Sequence, residues 1–210
     1  MRVSLPTVGV LAGLGAGAVA AWRLSHRFGV DPARAAVALP GDDLVPDASV
    51  QADRGIVIDA STEDVWPWLT QVGRDRAGFY SWTVLENAVG CEITDVHELR
   101  PEWSGRAVGD VVELAPGFGL RVAESVPGVA LVLSSDGATV PDDMQTASMD
   151  FGFSWAFVLT DLDGMTLLHL RERYAPHTPA ASAVCRAVLP VSALMTSRML
   201  QTIKRLAESP

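Results

Sequence analysis

The sequence predicts an α+β fold: a curved antiparallel sheet wrapped around a long C-terminal helix, preceded by an N-terminal transmembrane helix. Three observations predict it. Val3 to Trp22 carries no ionisable side chain. At 1.5 Å per residue a helix of that length crosses the ~30 Å hydrocarbon of a bilayer. Between residues 109 and 174, apolar runs alternate with the turn signals Gly109-Asp110, Pro116-Gly117, Pro127-Gly128 and Asp163-Gly164, the pattern of consecutive hairpins. From residue 179 on, Val184, Val188, Val191, Met195, Met199, Ile203 and Leu206 recur every three or four residues, one stripe of a helix that would cover the sheet.

The N-terminal run is flanked by Arg2 on one side and Arg23 and Arg27 on the other, with Trp22 at the expected interface position. It reads as a single-pass anchor. A signal peptide cleaved near Ala18-Val19-Ala20 and a buried or disordered N-terminus are the other readings. The downstream arginines, Arg34 included, predict a cell-membrane protein with its folded part in the cytoplasm. Gly9, Gly13 and Gly17 form a small-residue stripe through which two such helices could pair as a homodimer. Residues 24–53 read as a juxtamembrane helix and linker: Asp31-Pro32 opens a helix to about Leu39, Pro40-Gly41-Asp42-Asp43 ends it, and a polar stretch follows.

The folded domain is expected over residues 54–210. Ile56-Val57-Ile58 is a strand core. Ser61 with Asp64 three residues on marks a helix start, and Val65, Trp66, Leu69 and Val72 give that helix an apolar face, with Pro67 in its first turn. A short helix from about Thr83 to Val89 stops at Gly90. Strands follow at 111–114, 120–126, 129–134, 151–160 and 166–174, the last two joined by a tight hairpin at 161–164. The final helix runs over 179–208, and Pro190 within it predicts a kink.

Composition bounds function. The chain has 210 residues, 49% of them apolar and 20% charged, with formal charge −9. This excludes a disordered or disulfide-rich chain and argues against a nucleic-acid partner. His26, His97, His169 and His177 are scattered, Cys91 and Cys185 lie far apart, and no Gly-x-Ser-x-Gly elbow occurs. No cofactor, metal site or catalytic residue is therefore expected. The two cysteines could pair if the domain were exported and would be reduced thiols in the cytoplasm.

Several residues point to a ligand cavity between sheet and helix. Tyr80, Trp82 and Trp103 could line it or fill core; Trp66 and Trp155, placed in regular elements, read first as core, with Trp155 kept as a candidate lining residue. Glu86 and Asn87 share the short helix; either one of them faces the cavity mouth, or they are helix surface with a side-chain hydrogen bond. In the strand 166–174, Leu168, Leu170, Glu172 and Tyr174 would face inward. An inward Glu172 must be paired, with an arginine at the sheet edge for instance, or else neutral and free to orient a ligand. The acidic loop with Asp142, Asp143 and Asp150 reads as solvated or as a lid.

Residues 55–73, Gly-Ile-Val-Ile-Asp-Ala-Ser-Thr-Glu-Asp-Val-Trp-Pro-Trp-Leu-Thr-Gln-Val-Gly, resemble the opening strand and helix of the SRPBCC, or START-like, superfamily. The resemblance extends to bacterial members related to polyketide cyclase/dehydratase and lipid-transport domains. It is carried by Leu39-Pro40-Gly41-Asp42, Arg76-Ala77-Gly78-Phe79-Tyr80-Ser81, Leu85-Glu86-Asn87, Pro101-Glu102-Trp103, Val108-Gly109-Asp110, Phe153-Ser154-Trp155 and Arg171-Glu172-Arg173-Tyr174, covering about residues 36 to 208. It implies a helix-grip fold and a cavity for a hydrophobic small molecule or lipid. Three functions are compatible with it: a membrane-tethered binder, an enzyme of cyclase or dehydratase type, and a regulatory partner whose cavity is filled by its own side chains.

Overall fold

A computed structural model describes residues 25–88, 90–140 and 150–209. The expected membrane segment, its glycine stripe and residues 141–149 of the acidic loop lie outside the described residues. Seven strands form one sheet: β1 (Arg27–Phe28), β2 (Val50–Ile58), β3 (Val111–Ala115), β4 (Phe118–Val126), β5 (Ala130–Thr139), β6 (Phe151–Leu162) and β7 (Met165–Pro176), in the order β1-β2-β7-β6-β5-β4-β3. The short β1 runs parallel to β2, and every other pairing is antiparallel. The helices are α1 (Pro32–Ala35), α2 (Thr62–Thr70), α3 (Thr83–Ala88) and α4 (Pro179–Ala207). Register shifts between Glu113 and Ala115, and along β4, interrupt the β3–β4–β5 ladder, which bends strands where they occur.

The expected hairpins are all present, with strand ends shifted by a few residues. Period-two alternation divides the sheet. Ile58, Leu120, Leu131, Leu133, Phe157, Leu168 and Leu170 point to the helix side and are essentially inaccessible. They pack against Val65, Trp66 and Leu69 of α2 and Met199, Leu200 and Ile203 of α4. Each such side chain contributes about 1.5–3 kcal/mol by leaving water. Ser61 caps α2 as expected, its Oγ accepting from the Asp64 N–H at 3.2 Å. Because α2 starts at Thr62, Pro67 falls in the second turn rather than the first.

Residues 25–53, the described part of the expected juxtamembrane helix and linker, differ from that expectation. The first helix stops at Ala35, because the carbonyls of Ala35 and Val37 accept from the Arg171 guanidinium at 2.8 and 3.0 Å instead of continuing the helical ladder. Asp42 accepts from Arg171 at 2.7 Å, and the Val45 carbonyl from Arg173 at 3.0 Å. Leu39 packs on Ala130, Val132, Ala156 and Val158 of the outer sheet face. β2 begins at Val50, paired with Tyr174, not at Arg54. These residues therefore cover the outer face of the sheet. The reason is electrostatic: Asp53, Arg171 and His169 all point outward from β2 and β7, and buried charges must be paired. Burial opposes ionisation of Asp53, but hydrogen bonds from His169, Gln51 and Arg171 outweigh it and hold its carboxyl below the ordinary range.

The N-terminal half of α4 departs from the expected stripe. There the buried residues are Cys185, Leu189 and Thr196, whereas Val184, Val188 and Val191 are 56%, 44% and 60% exposed; further along, Met199 and Ile203 are buried as expected. The hydroxyls of Ser192 and Thr196 turn inward to accept from Arg54 at 2.8 and 3.3 Å, and this turns the valines away from the core. α4 is long and apolar enough to span a membrane, yet it packs along β2 and β7.

Gly41 has φ +84°, and a Cβ there would lie 2.4 Å from Val132 Cγ1. Only glycine meets both demands. Gly41→Ala is expected to destabilise by about 2 kcal/mol in urea denaturation, against less than about 0.5 kcal/mol for Asp43→Ala nearby.

Candidate functional site

A cavity of about 390 Å³ opens between α4, the sheet and the chain from Phe79 to Cys91. Phe153, Trp155, Glu172 and Tyr174 supply its sheet wall, and Leu114 extends it on β3. Val188, Val191, Ser192, Met195, Thr196 and Met199 supply the helix wall, and Phe79, Ser81, Glu86 and Cys91 the remaining side. Ring contacts stiffen the sheet wall: Phe153 and Tyr174 have centroids 4.7 Å apart, Trp155 and Phe157 4.6 Å. A broader hollow of about 510 Å³ lies by β1 and α1, lined by His26, Arg27, Gln51 and Asp53 among others. It is a mixed polar surface over the charge network that fastens the N-terminal segment, so its groups already have structural work.

The chain from Gln71 to Arg106 is held in place before it can shape a cavity wall. Arg106 donates to the Thr70 and Val72 carbonyls at 3.2 and 2.8 Å, and Arg76 to the Thr70 carbonyl at 2.8 Å. Cations thus satisfy the orphan carbonyls where α2 ends. Gly78 at φ +79° and Tyr80 at φ +55° then reverse the chain. The reversal sends Phe79 to the cavity and Tyr80 into the core, and Ser81 Oγ donates to the Met195 carbonyl at 3.0 Å.

Three of the residues singled out from the sequence, Glu86, Trp155 and Glu172, line this cavity together. Tyr80, Trp82 and Trp103 do not. Tyr80 is 1% exposed, edge-on to Trp68, with Gln71 Nε2 3.4 Å from its hydroxyl. Burial raises its phenol pKa. Trp82 lies on the surface beneath the Arg198 guanidinium. Trp103 stacks with Arg100 over a separate shallow hollow by Pro67 and Gln71. Periodicity offers no means of locating rings in a chain reversed by two left-handed residues.

Glu172 is paired, and with a central arginine rather than an edge one. Arg54 Nη1 lies 2.7 Å from Glu172 Oε1, and both side chains are buried. Ser192 Oγ donates to the same oxygen at 2.5 Å, and the Tyr174 hydroxyl donates to Oε2 at 3.0 Å. Burial, then the Glu172 charge, raises the Tyr174 phenol pKa. Arg54 Nη2 also donates to the carbonyls of Ser25 and Leu189 at 2.8 and 3.4 Å.

Glu86 is the opposite case. It is 3% exposed, and neither carboxylate oxygen has a hydrogen-bond partner among the described residues. Burial, reinforced by the charge of Asp95, pushes its carboxyl up to about 7. Asn87 beside it takes the structural role, donating to the Ile93 carbonyl at 2.9 Å and accepting from the Ile93 N–H. Trp155 Nε1 is likewise buried without a partner. Cys91, another lining residue, is a free thiol whose pKa burial raises, with Glu86 adding to the shift. Cys185 is free and buried with Val50, Ala52, Tyr174 and Leu189.

No family model matches the chain, and no curated protein matches it. Among solved structures it is similar to protein CV1439 from Chromobacterium violaceum, with 16% identity, a TM-score of 0.43, and 79% of this chain and 100% of that one covered. The Polyketide_cyc-like protein Cgl2372 from Corynebacterium glutamicum shows 15% identity and a TM-score of 0.41 over 75% of this chain and 91% of that one. Hypothetical protein jhp0584 from Helicobacter pylori shows 10% identity and a TM-score of 0.48 over 87% and 99%. The chemistry of the cavity is accordingly read from its own residues.

Two outcomes check this geometry. Arg54→Met leaves Glu172 charged and buried and is expected to cost about 3–5 kcal/mol, much of it recovered in the double variant Arg54→Met/Glu172→Met. Glu86 has a folded-state pKa raised from 4.5 to about 7, so its neutral form is favoured on folding. The stability it permits is complete below pH 4.5 and is lost as pH rises through 7. Glu86→Gln should therefore match the parent at pH 4.5 and exceed it at pH 8 by about 1–2 kcal/mol, the full shift being discounted for water in the cavity. Denaturant titrations at the two pH values measure the difference.

Proposed function

We propose that this chain is a membrane-tethered binding protein that holds a hydrophobic small molecule or lipid in the cavity between sheet and C-terminal helix. The observation that carries the reading is the lining. Aromatic, methionine and valine side chains enclose about 390 Å³, and few polar groups interrupt them. A small apolar ligand gains most from such a surface.

Tethering is supported by the Val3–Trp22 run. On α4, Val184, Val191 and Leu194 are exposed. Trp82, Val84 and Leu85, at and within α3, add further exposed apolar surface. Exposed apolar surface of this extent suits a domain held against lipid. The arginines downstream of the run favour the cytoplasmic side.

A second reading is favoured by one observation. The Glu86 carboxyl titrates near neutrality within the cavity, as a general acid of a cyclase- or dehydratase-type enzyme would. A ligand that leaves the cavity chemically unchanged supports the binder, and one that is turned over supports the enzyme.

Native mass spectrometry of the full chain, released from lipid nanodiscs, tests the binding reading. The expected result is a reproducible added mass that organic extraction removes. Val188→Trp, which fills the cavity from its exposed rim, should reduce the occupancy about tenfold. A clean mass after incubation with total host lipid, or an adduct untouched by Val188→Trp, overturns the reading.

A further inference from the structure

We infer that the cavity takes an uncharged apolar molecule bearing a carbonyl or hydroxyl oxygen, and that Glu86 and Trp155 are the residues that hydrogen-bond it. This rests on the reading of the cavity as a ligand site and narrows the class of ligand.

Three polar atoms on residues that line this cavity are themselves sealed from solvent and lack partners among the described residues: Glu86 Oε1, Glu86 Oε2 and Trp155 Nε1. The other carboxylate of the cavity, Glu172, is satisfied by Arg54, Ser192 and Tyr174. Among the residues that line the cavity, the unmet capacity of buried side chains therefore falls on Glu86 and Trp155, while Arg54 Nε and Asp95 Oδ1 are unpartnered on residues outside the lining. A pure hydrocarbon would leave these atoms dry, at about 1–3 kcal/mol each. An anion would meet Glu86, with Asp95 beyond it, and only one donor. An ammonium group offers no acceptor to the Trp155 N–H, which can do nothing but donate. A carbonyl or hydroxyl oxygen accepts from the indole. It also accepts from the Glu86 carboxyl in its protonated form, which burial and Asp95 favour below about pH 7. A hydroxyl can in addition donate to the second carboxyl oxygen.

The test uses four probes of one size: 2-acetylnaphthalene, 2-ethylnaphthalene, 2-naphthoate and 2-naphthylmethylamine. Each is titrated into the full chain in nanodiscs, with indole ¹⁵N–¹H resonances as the readout and Trp155→Phe assigning the Trp155 signal. At pH 6 the ketone should bind about fivefold to tenfold more tightly than its ethyl analogue and shift the Trp155 indole proton downfield. That preference should fall as pH rises past 7. The titratable groups around Glu86 are Asp95, the Cys91 thiol, whose pKa burial raises, and Glu172 in the same cavity lining, paired with Arg54. Glu86→Gln, whose amide donates at every pH, should keep the preference and lose its pH dependence. Glu86→Leu should bind 2-ethylnaphthalene and keep only the part of the ketone preference that Trp155 supplies, and Glu86→Leu/Trp155→Phe should lose it. Equal binding of ketone and ethyl analogue, tightest binding of the amine or the carboxylate, or a preference undiminished by Glu86→Leu overturns the inference while leaving the cavity a ligand site. Binding of none of the four overturns both.

Discussion

The buried ion pair between Arg54 and Glu172 is the contact on which the rest of the arrangement turns. Arg54 stands on β2 with 1% of its side chain exposed. Removing a guanidinium from water costs several kcal/mol, and the structure recovers this only by surrounding it with acceptors. Those acceptors come from three separate places: Glu172 on the neighbouring strand, Ser192, Thr196 and the Leu189 carbonyl on α4, and the Ser25 carbonyl at the start of the described chain. One cation therefore sets the rotation of the C-terminal helix, fixes where the N-terminal segment meets the domain, and places a neutralised polar floor beside an otherwise apolar cavity. Hydrophobic burial drives the helix onto the sheet without choosing its rotation, since either stripe of α4 is apolar. The direction of the two hydroxyls makes that choice.

This explains what could be read from the sequence and what could not. The hairpins were legible because strand alternation and Gly-Asp or Pro-Gly turns are local signals, and so was the inward set Leu168, Leu170, Glu172 and Tyr174, which needs only period two. The start of α2 was legible because a cap is decided within four residues. The first half of the helix stripe was misread, although Met199 and Ile203 were placed correctly, because Val184, Val188 and Val191 satisfy helical periodicity as well as Cys185, Leu189 and Thr196 do, and only Arg54, about 140 residues away in the chain, separates them. Residues 24–53 looked like a linker because their polar groups and prolines read as solvated turns. Their carbonyls and Asp42 in fact answer Arg171 and Arg173, a demand invisible in the segment itself. In the cavity, Glu86, Trp155 and Glu172 lay within reach of periodic reasoning. Tyr80 did not, because its left-handed backbone sends successive side chains in directions that no periodic pattern describes.

The two faces of the central strands make the same comparison in chemistry. Asp53 and Arg54 are adjacent in β2 and point to opposite sides. On the outer side, Asp53 is met by His169, Arg171 and Gln51, and Arg171 in turn by Asp42 and two carbonyls. In that network the charges are paired within the fold, although Asp42 Oδ1 itself lacks a hydrogen bond, and its work is to fasten a covering segment. On the helix side, the Arg54–Glu172 pair is bonded in the same way with Arg54 Nε left over, whereas Glu86 has both carboxylate oxygens unpartnered and Trp155 its Nε1. Buried polar groups are rarely left without partners, so a side chain with none carries information. Stability alone would favour leucine over Glu86, since a buried carboxyl without a partner lowers stability at neutral pH. The cost is coherent if the missing partner is supplied from outside the chain, by a molecule that enters between α4 and the sheet.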